Sequence, residues 1–367
     1  MSTYMMGELF SGPGGIAWGA HRAAEDAGVD LRHAWANDYD ASTCDTYRAN
    51  IKGATPESVR CADVRALDVT KLKSIEGFAF GFPCNDYSLV GESKGLSGEF
   101  GPLYQRGVDV LDHHAPSWFV AENVTGLKSS NGGNDFRHIL AALRQAGPGY
   151  KLVPHLYRFE QYGVPQRRHR IIIVGIADGI SAEFKVPAPT HFNSEDWVTA
   201  RHALAGIEPH VPNQERTRQS PTVVRRLQQI RPGQNAFNAE LDDDLRLNVK
   251  GATLSQIYRR LHPDKPSYTI TGSGGGGTHG YHWSEPRALT NRERARIQSF
   301  DDEFVFKGSK ESVRRQVGMA VPPEGARVIF RALFRTLAGQ KYDSVPANLT
   351  PDGEPLVKRQ LENAADD

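Results

Sequence analysis

Across its first 185 residues the chain alternates short apolar runs with amphipathic stretches, and this alternation constrains the fold more than any other feature. Strands that recur between helices pair in parallel, so the pattern predicts a doubly wound α/β sheet. Strands are expected at 7–10, 32–36, 78–81, 118–121, 151–159 and 169–176, and helices at 17–27, 42–50, 103–114 and 136–146. From Pro187 the texture changes. Residues 187–283 are richer in Pro, Gln, Asn and Gly, and read as a smaller, irregular domain beside a first domain of residues 1–186. Residues 284–316 read as a hinge or return segment with a helix at 291–299. Residues 317–340 carry an apolar-periodic helix, 325–338, expected to pack back on the first domain. The polar stretch 341–367 reads as a mobile tail.

At 367 residues the chain is long enough for one large domain and a smaller one. No window approaches the roughly 18 unbroken apolar residues of a membrane span. The start, MSTYMMGELFSG, shows no secretory signal. Three cysteines, Cys44, Cys61 and Cys84, argue for a reducing cytoplasm and against a disulfide scaffold or a zinc site. A net charge of +1 does not single out nucleic acid as a partner. Local charge is more telling. Residues 216–231 carry five arginines and no acid, and a second cluster follows at Arg259, Arg260, His262 and Lys265. Basic runs are usually solvated surface, so composition permits a DNA enzyme without indicating one.

Residues 8–15, Glu-Leu-Phe-Ser-Gly-Pro-Gly-Gly, follow a strand and open a helix. Gly12, Gly14 and Gly15 allow a ligand close to backbone amides, and a helix N-terminus favours a negative group. An ordinary strand–helix turn would look the same. Asp38 ends the next strand, placed to hydrogen-bond ribose hydroxyls, and Tyr39 beside it could stack on adenine. With Glu8 before the first turn and Asp38, Asp63 is a third acid at a strand end, able to accept from an adenine amino group. Each acid alone is more often a cap; three after successive strands favour an adenosyl cofactor. Gly81-Phe-Pro-Cys84 places a cysteine after a strand, beside the cleft, as a candidate thiolate nucleophile. A buried apolar cysteine is the alternative. Residues 88–101, with four glycines, read as a mobile lid. Glu122 ends an apolar strand at the same sheet edge. Arg168 and Arg170 fall on one face of the strand that follows Gln161–Arg167, able to serve phosphate and base oxygens.

In order, FSGPGG, GFPCN, ENV, QYGVPQRRHR, RALTNRERARIQSF and QVGMAVPP resemble the blocks of the DNA cytosine-5 methyltransferases of prokaryotic type. The resemblance runs from residue 7 to about 338, interrupted by 187–283. It implies a Rossmann-like S-adenosylmethionine-dependent domain with a target-recognition domain at 187–283. It also implies methyl transfer to C5 of a flipped cytosine in duplex DNA, with S-adenosylhomocysteine as product and no metal. By the same resemblance Cys84 adds to cytosine C6, Glu122 binds N3 and the exocyclic amine, Arg170 contacts O2, and Arg168 holds the cysteine loop or the backbone. Phe10, Gly12, Pro13, Gly14, Asp38, Tyr39, Asp63, Val64, Gly81, Pro83, Leu103 and Met319 would line the cofactor site. Ser88, Arg225, Arg226, Thr269, Gly274 and Gly275 would meet DNA.

Three positions depart from the family pattern. Asn85 stands where many members have Gln, Asp301 replaces a Pro, and Met319 replaces an Asn. The last change predicts weaker cofactor binding, unless Met319 is a packing residue of the core. The resemblance further implies a cytoplasmic, nucleoid-associated monomer, with any cognate restriction endonuclease acting separately. A tRNA cytosine-5 methyltransferase and a catalytically impaired DNA-binding homologue are the competing readings.

Overall fold

The computed structural model describes residues 2–83, 103–247, 255–275 and 277–356. They form two compact units. The first comprises 1–158, 169–189 and 325–367; the second comprises 159–168 and 190–324.

The first unit is built on seven strands: β1 (Thr3–Leu9), β2 (Asp30–Asp38), β3 (Val59–Cys61), β4 (Gly77–Gly81), β5 (Trp118–Val124), β6 (Tyr150–Arg158) and β7 (His169–Ala177). Their order is β3-β2-β1-β4-β5-β7-β6. All neighbours pair in parallel except β7, which is antiparallel to both β5 and β6. Helices α1 (Gly15–Ala27), α2 (Ala41–Asn50), α3 (Tyr104–His114) and α4 (Asn134–Gln145) connect the strands. This is the expected doubly wound sheet. The chain winds outward from β1 in one direction through β2 and β3, then in the other through β4 and β5. Such a reversal opens a crevice at the carboxyl ends of the central strands. Register aligns those ends, since Leu9 pairs with Asn37 and Phe80, and Gly81 with Glu122. Three differences from the expected strands matter. Phe10 leaves β1 with φ +53° instead of ending it. The three-residue β3 is too short to show a period. Arg168 precedes β7 and belongs to the second unit.

The core beneath the sheet gathers Phe78, Phe80, Phe119, Leu140 and Ile173. A long helix, α9 (Pro323–Leu337), follows three more that belong to the second unit, α6 (Pro221–Gln229), α7 (Asn291–Ile297) and α8 (Lys310–Met319), and the short α5 (Ala200–Leu204). Phe330 and Phe334 of α9 meet the ring of Trp118 edge-on, so this helix closes the first unit as expected.

The tail assignment is corrected over its described part. Two short strands, β8 (Val186–Pro187) and β9 (Ser344–Val345), pair with each other. Asn348 then lies along the free edge of β6: its Oδ1 accepts from Leu156 N–H at 2.8 Å and its Nδ2 donates to Leu156 O at 3.0 Å. Leu349 is buried in the core, and Asp352 pairs with Arg144 at 3.0 Å. A bare strand edge is a pairing hazard, and residues 341–356 cover it.

The second unit also begins and ends elsewhere than at 187 and 283. Residues 284–324 fold with it because α7 is anchored there. Arg292, fully buried, donates to the carbonyls of Pro212, Asp301 and Phe304. Ile297 and Leu289 pack with Ala200, Leu261 and Ile270. Gly318, near the end of α8, lies directly on the backbone at Thr271–Gly272; a Cβ there would fall 2.0 Å from Gly272 N.

Candidate active site

In the first unit the crevice is formed by the turn after β1 and the ends of β2, β3, β4 and β5. Gly12 and Gly14 take positive φ values of 55° and 100°, which bends the chain sharply into α1. No side chain caps α1, so the N–H groups of its first turn stay available to a negative group. Gly12 has nothing near its would-be Cβ, while Pro13 and Gly14 are buried. Phe10 is partly buried against the core.

Asp38 ties the turn to the end of β2. One carboxylate oxygen accepts from Gly12 N–H and the other from Asp40 N–H, both at 3.0 Å. Burial pushes this carboxyl above its usual range, against the pull of those N–H bonds. The carboxylate keeps acceptor capacity for a further donor. Tyr39 follows, a residue 74% exposed that offers an open flat platform. Asp63 is exposed and already engaged. Both its oxygens meet the Arg65 guanidinium, and Oδ1 also accepts from Arg65 N–H at 2.8 Å. The Arg65 hydrogen bond, foremost, holds the Asp63 carboxyl down at about 2. Val64 and Leu103 turn their side chains into the core, so they can offer a ligand little more than backbone.

At the other side of the crevice, Glu122 and Arg170 come together. Arg170 Nε lies 2.8 Å from Glu122 Oε1, and both side chains are largely buried. Arg170 also donates to His169 O. Glu122 Oε2 lies over Gly81, whose Cβ would come within 3.1 Å of it. Pro83 is half-buried. Cys84, Ser88 and the expected lid at 88–101 lie outside the described residues.

Arg168 does not share a strand face with Arg170. It is buried in the second unit, where its guanidinium donates to the carbonyls of Ile270 at 3.2 Å and of Gly318 and Ala320 at 3.0 Å. That role is to hold backbone. Gln166, which the sequence reading passed over, is fully buried beside it. Its Oε1 accepts from Ile270 N–H at 2.9 Å and its Nε2 donates to Gln298 Oε1 at 3.0 Å. An uncharged amide two residues from an arginine gives no periodic signal, so only packing reveals it.

The expected DNA-facing residues divide. Arg226 is corrected: it is buried, with Nε donating to Leu245 O at 2.7 Å and its guanidinium 4.8 Å from the Tyr258 ring centroid. Its partners lie within the unit because α6 buries the face that carries it. Arg225 is exposed and pairs with Asp244 at 2.9 Å. Thr269 donates to Arg167 O at 2.7 Å. Gly275 has open space around it, whereas the space a side chain would need at Gly274 is taken by Arg314. Met319 is 59% exposed, which excludes the core-packing alternative. Among the described residues no group of three or more His, Cys, Asp or Glu could hold a metal, and no helix is long and apolar enough to cross a membrane.

Residues 4–335 match the family described as C-5 cytosine-specific DNA methylase. The chain is 56% identical over 352 residues to Type II methyltransferase M.BbvI of Brevibacillus brevis, covering 93% of this chain and 94% of the relative. It is 39% identical over 342 residues to Type II methyltransferase M.NgoFVII of Neisseria gonorrhoeae, covering 92% and 88%. The fold resembles that of the Entamoeba histolytica methyltransferase EhMeth, with a TM-score of 0.63 at 15% identity, covering 92% of this chain and 99% of that one. Ordered motifs, a doubly wound sheet and near full-length identity agree, and the chain belongs to the C-5 cytosine-specific DNA methylase family, a DNA (cytosine-5-)-methyltransferase.

Proposed function

We propose that the protein methylates C5 of a cytosine flipped from a specific duplex DNA sequence, using Cys84 as nucleophile and S-adenosylmethionine as donor. The pairing of Glu122 with Arg170 at the rim of the β4–β5 crevice carries this reading. Buried carboxylates are costly unless held, and this one is held while Oε2 stays directed over Gly81. There it accepts from the exocyclic amine of cytosine and holds the N3 edge. Arg170 keeps it oriented and turns its remaining N–H groups toward O2. The Cys84 thiolate adds to C6, which makes C5 electron-rich, and loss of the C5 proton afterwards expels the cysteine. A duplex hides C6, so the base leaves the stack, which costs a few kcal/mol.

The residues around the first turn fit an adenosyl cofactor. Asp38, prepositioned by two backbone N–H groups, has lone pairs left for ribose hydroxyls. Tyr39 offers its exposed ring to adenine. Asp63 reaches the amino group in competition with Arg65, an exposed pairing that solvent screens. The uncapped start of α1 suits the carboxylate end. When bound, S-adenosylmethionine supplies an electrophilic methyl group.

The second unit would choose the target sequence. The two bacterial relatives carry Type II names, which supports a place in a restriction–modification system beside a separate endonuclease. Duplexes carrying 5-fluorocytosine at the target test the chemistry, because the C5 proton cannot leave. The wild type should form an adduct with this DNA that survives SDS, and Cys84→Ser should not, while still binding cofactor. Methylation without such an adduct would remove the covalent step. Absence of any methyl transfer to DNA would leave the impaired-homologue reading.

A further inference from the structure

A small cleft in the second unit, between the glycine-rich loop and α7, is lined by Tyr268, Thr271, Thr278, His279 and Arg294 among others. Arg294 is only 2% exposed. One of its nitrogens donates to His279 O, but its Nε finds no acceptor among the described residues. The neighbouring Glu293 is spent on Arg287 and on Thr290 N–H. Arg314 stands beside it. Its guanidinium occupies the space over Gly274, where a Cβ would lie 2.3 Å from Nε, and that Nε is also buried without an acceptor. Neither arginine has an ion pair among the described residues. The charged groups facing His279 here are Arg294, Arg314, Lys310 and Glu311, three cations against one anion. With burial acting first, the cations hold His279 down at about 4 and leave it neutral.

Guanidinium groups buried without a counter-charge are costly, and a phosphate oxygen is the acceptor their fork geometry matches. Thr271 and Ser273 share one hydroxyl hydrogen bond of 2.7 Å, so one of the two hydroxyl hydrogens remains to donate outward. We propose that this cleft admits one non-bridging oxygen of a phosphodiester of the DNA substrate, met by Arg294 and Thr271 that line it, with Arg314 and Ser273 beside them. The inference rests on the protein acting on DNA, and it assigns a backbone contact that fixes register and reads no base.

Full-length wild type, Arg294→Met and Arg314→Gln are compared for duplex affinity across a salt series. Each phosphate contact adds about 0.9 to the slope of log K against log salt, so each variant should lose about 0.9 with its target sequence unchanged. A second measurement covers the case in which Arg294→Met fails to fold. Duplexes carrying a single uncharged methylphosphonate, walked along each strand, should reveal one linkage that weakens the wild type and leaves Arg314→Gln unaffected. Should Arg314→Gln keep the wild-type slope and the wild-type methylphosphonate profile, the phosphate site is wrong while the DNA reading stands. A wild type that neither binds nor methylates DNA would overturn both.

Discussion

Glu8 lies inside β1, fully buried, one residue before the strand end that opens the cofactor turn. Tyr47 OH donates to its Oε2 at 3.1 Å, and Oε1 has no partner among the described residues. Burial, foremost, pushes this carboxyl from 4.5 up to about 8, the Tyr47 bond pulls down, and the charge of Asp38 adds to the rise. In the folded protein Glu8 therefore keeps its proton at pH 7. Between pH 4.5 and 8 the unfolded chain has lost a proton that the folded one retains, so stability falls as pH rises through that window. Each pH unit inside it is worth about 1.4 kcal/mol. Glu8→Gln keeps the shape and removes the titration. From pH 5.5 to 7.5 the variant should gain about 2–3 kcal/mol on the wild type. Urea unfolding of both proteins, followed by tryptophan fluorescence at the two pH values, measures the difference. His21 and His33, each held down at about 4 chiefly by burial, lower the stability of both proteins as pH falls below 6.5. Parallel stability–pH curves for variant and wild type would refute the reasoning.

Two further substitutions separate structural from binding roles. Arg226→Gln removes a charged hydrogen bond and a cation–π contact, and should destabilise the protein by about 2–4 kcal/mol without lowering the salt slope of DNA binding. Arg225→Gln breaks only an exposed pair with Asp244 and should shift stability by less than about 1 kcal/mol. Thermal melts and salt-dependent affinities check both. Met319→Asn restores the donor and acceptor that the family resemblance leads one to expect near the cofactor. Calorimetric titration with S-adenosylmethionine should show roughly 2- to 100-fold tighter binding, the equivalent of one hydrogen bond, and equal affinities would retire the idea.

The sequence by itself determined the sheet and the acids at its edge. Runs such as Phe78–Gly81 and Ile171–Val174 can bury both faces of an interior strand only in a sheet covered on both sides, and strand ends then place Asp38 and Glu122 by position alone. These are short-range properties, legible in a window of a few residues. The arginines are different. Arg168, Arg226 and Arg292 look like Arg225 in the sequence, yet each spends its guanidinium on buried backbone carbonyls supplied by distant segments. Arg294 is buried too and Arg314 partly so, and there no such acceptor meets Nε among the described residues. Residues 341–356 read as tail because they are polar, but Asn348 finds the unpaired edge of β6, nearly two hundred residues away. Whether a charged or polar side chain is solvated, spent on the fold, or left to meet a ligand depends on which donors and acceptors the folded chain brings within about 3 Å. Only the tertiary structure decides that.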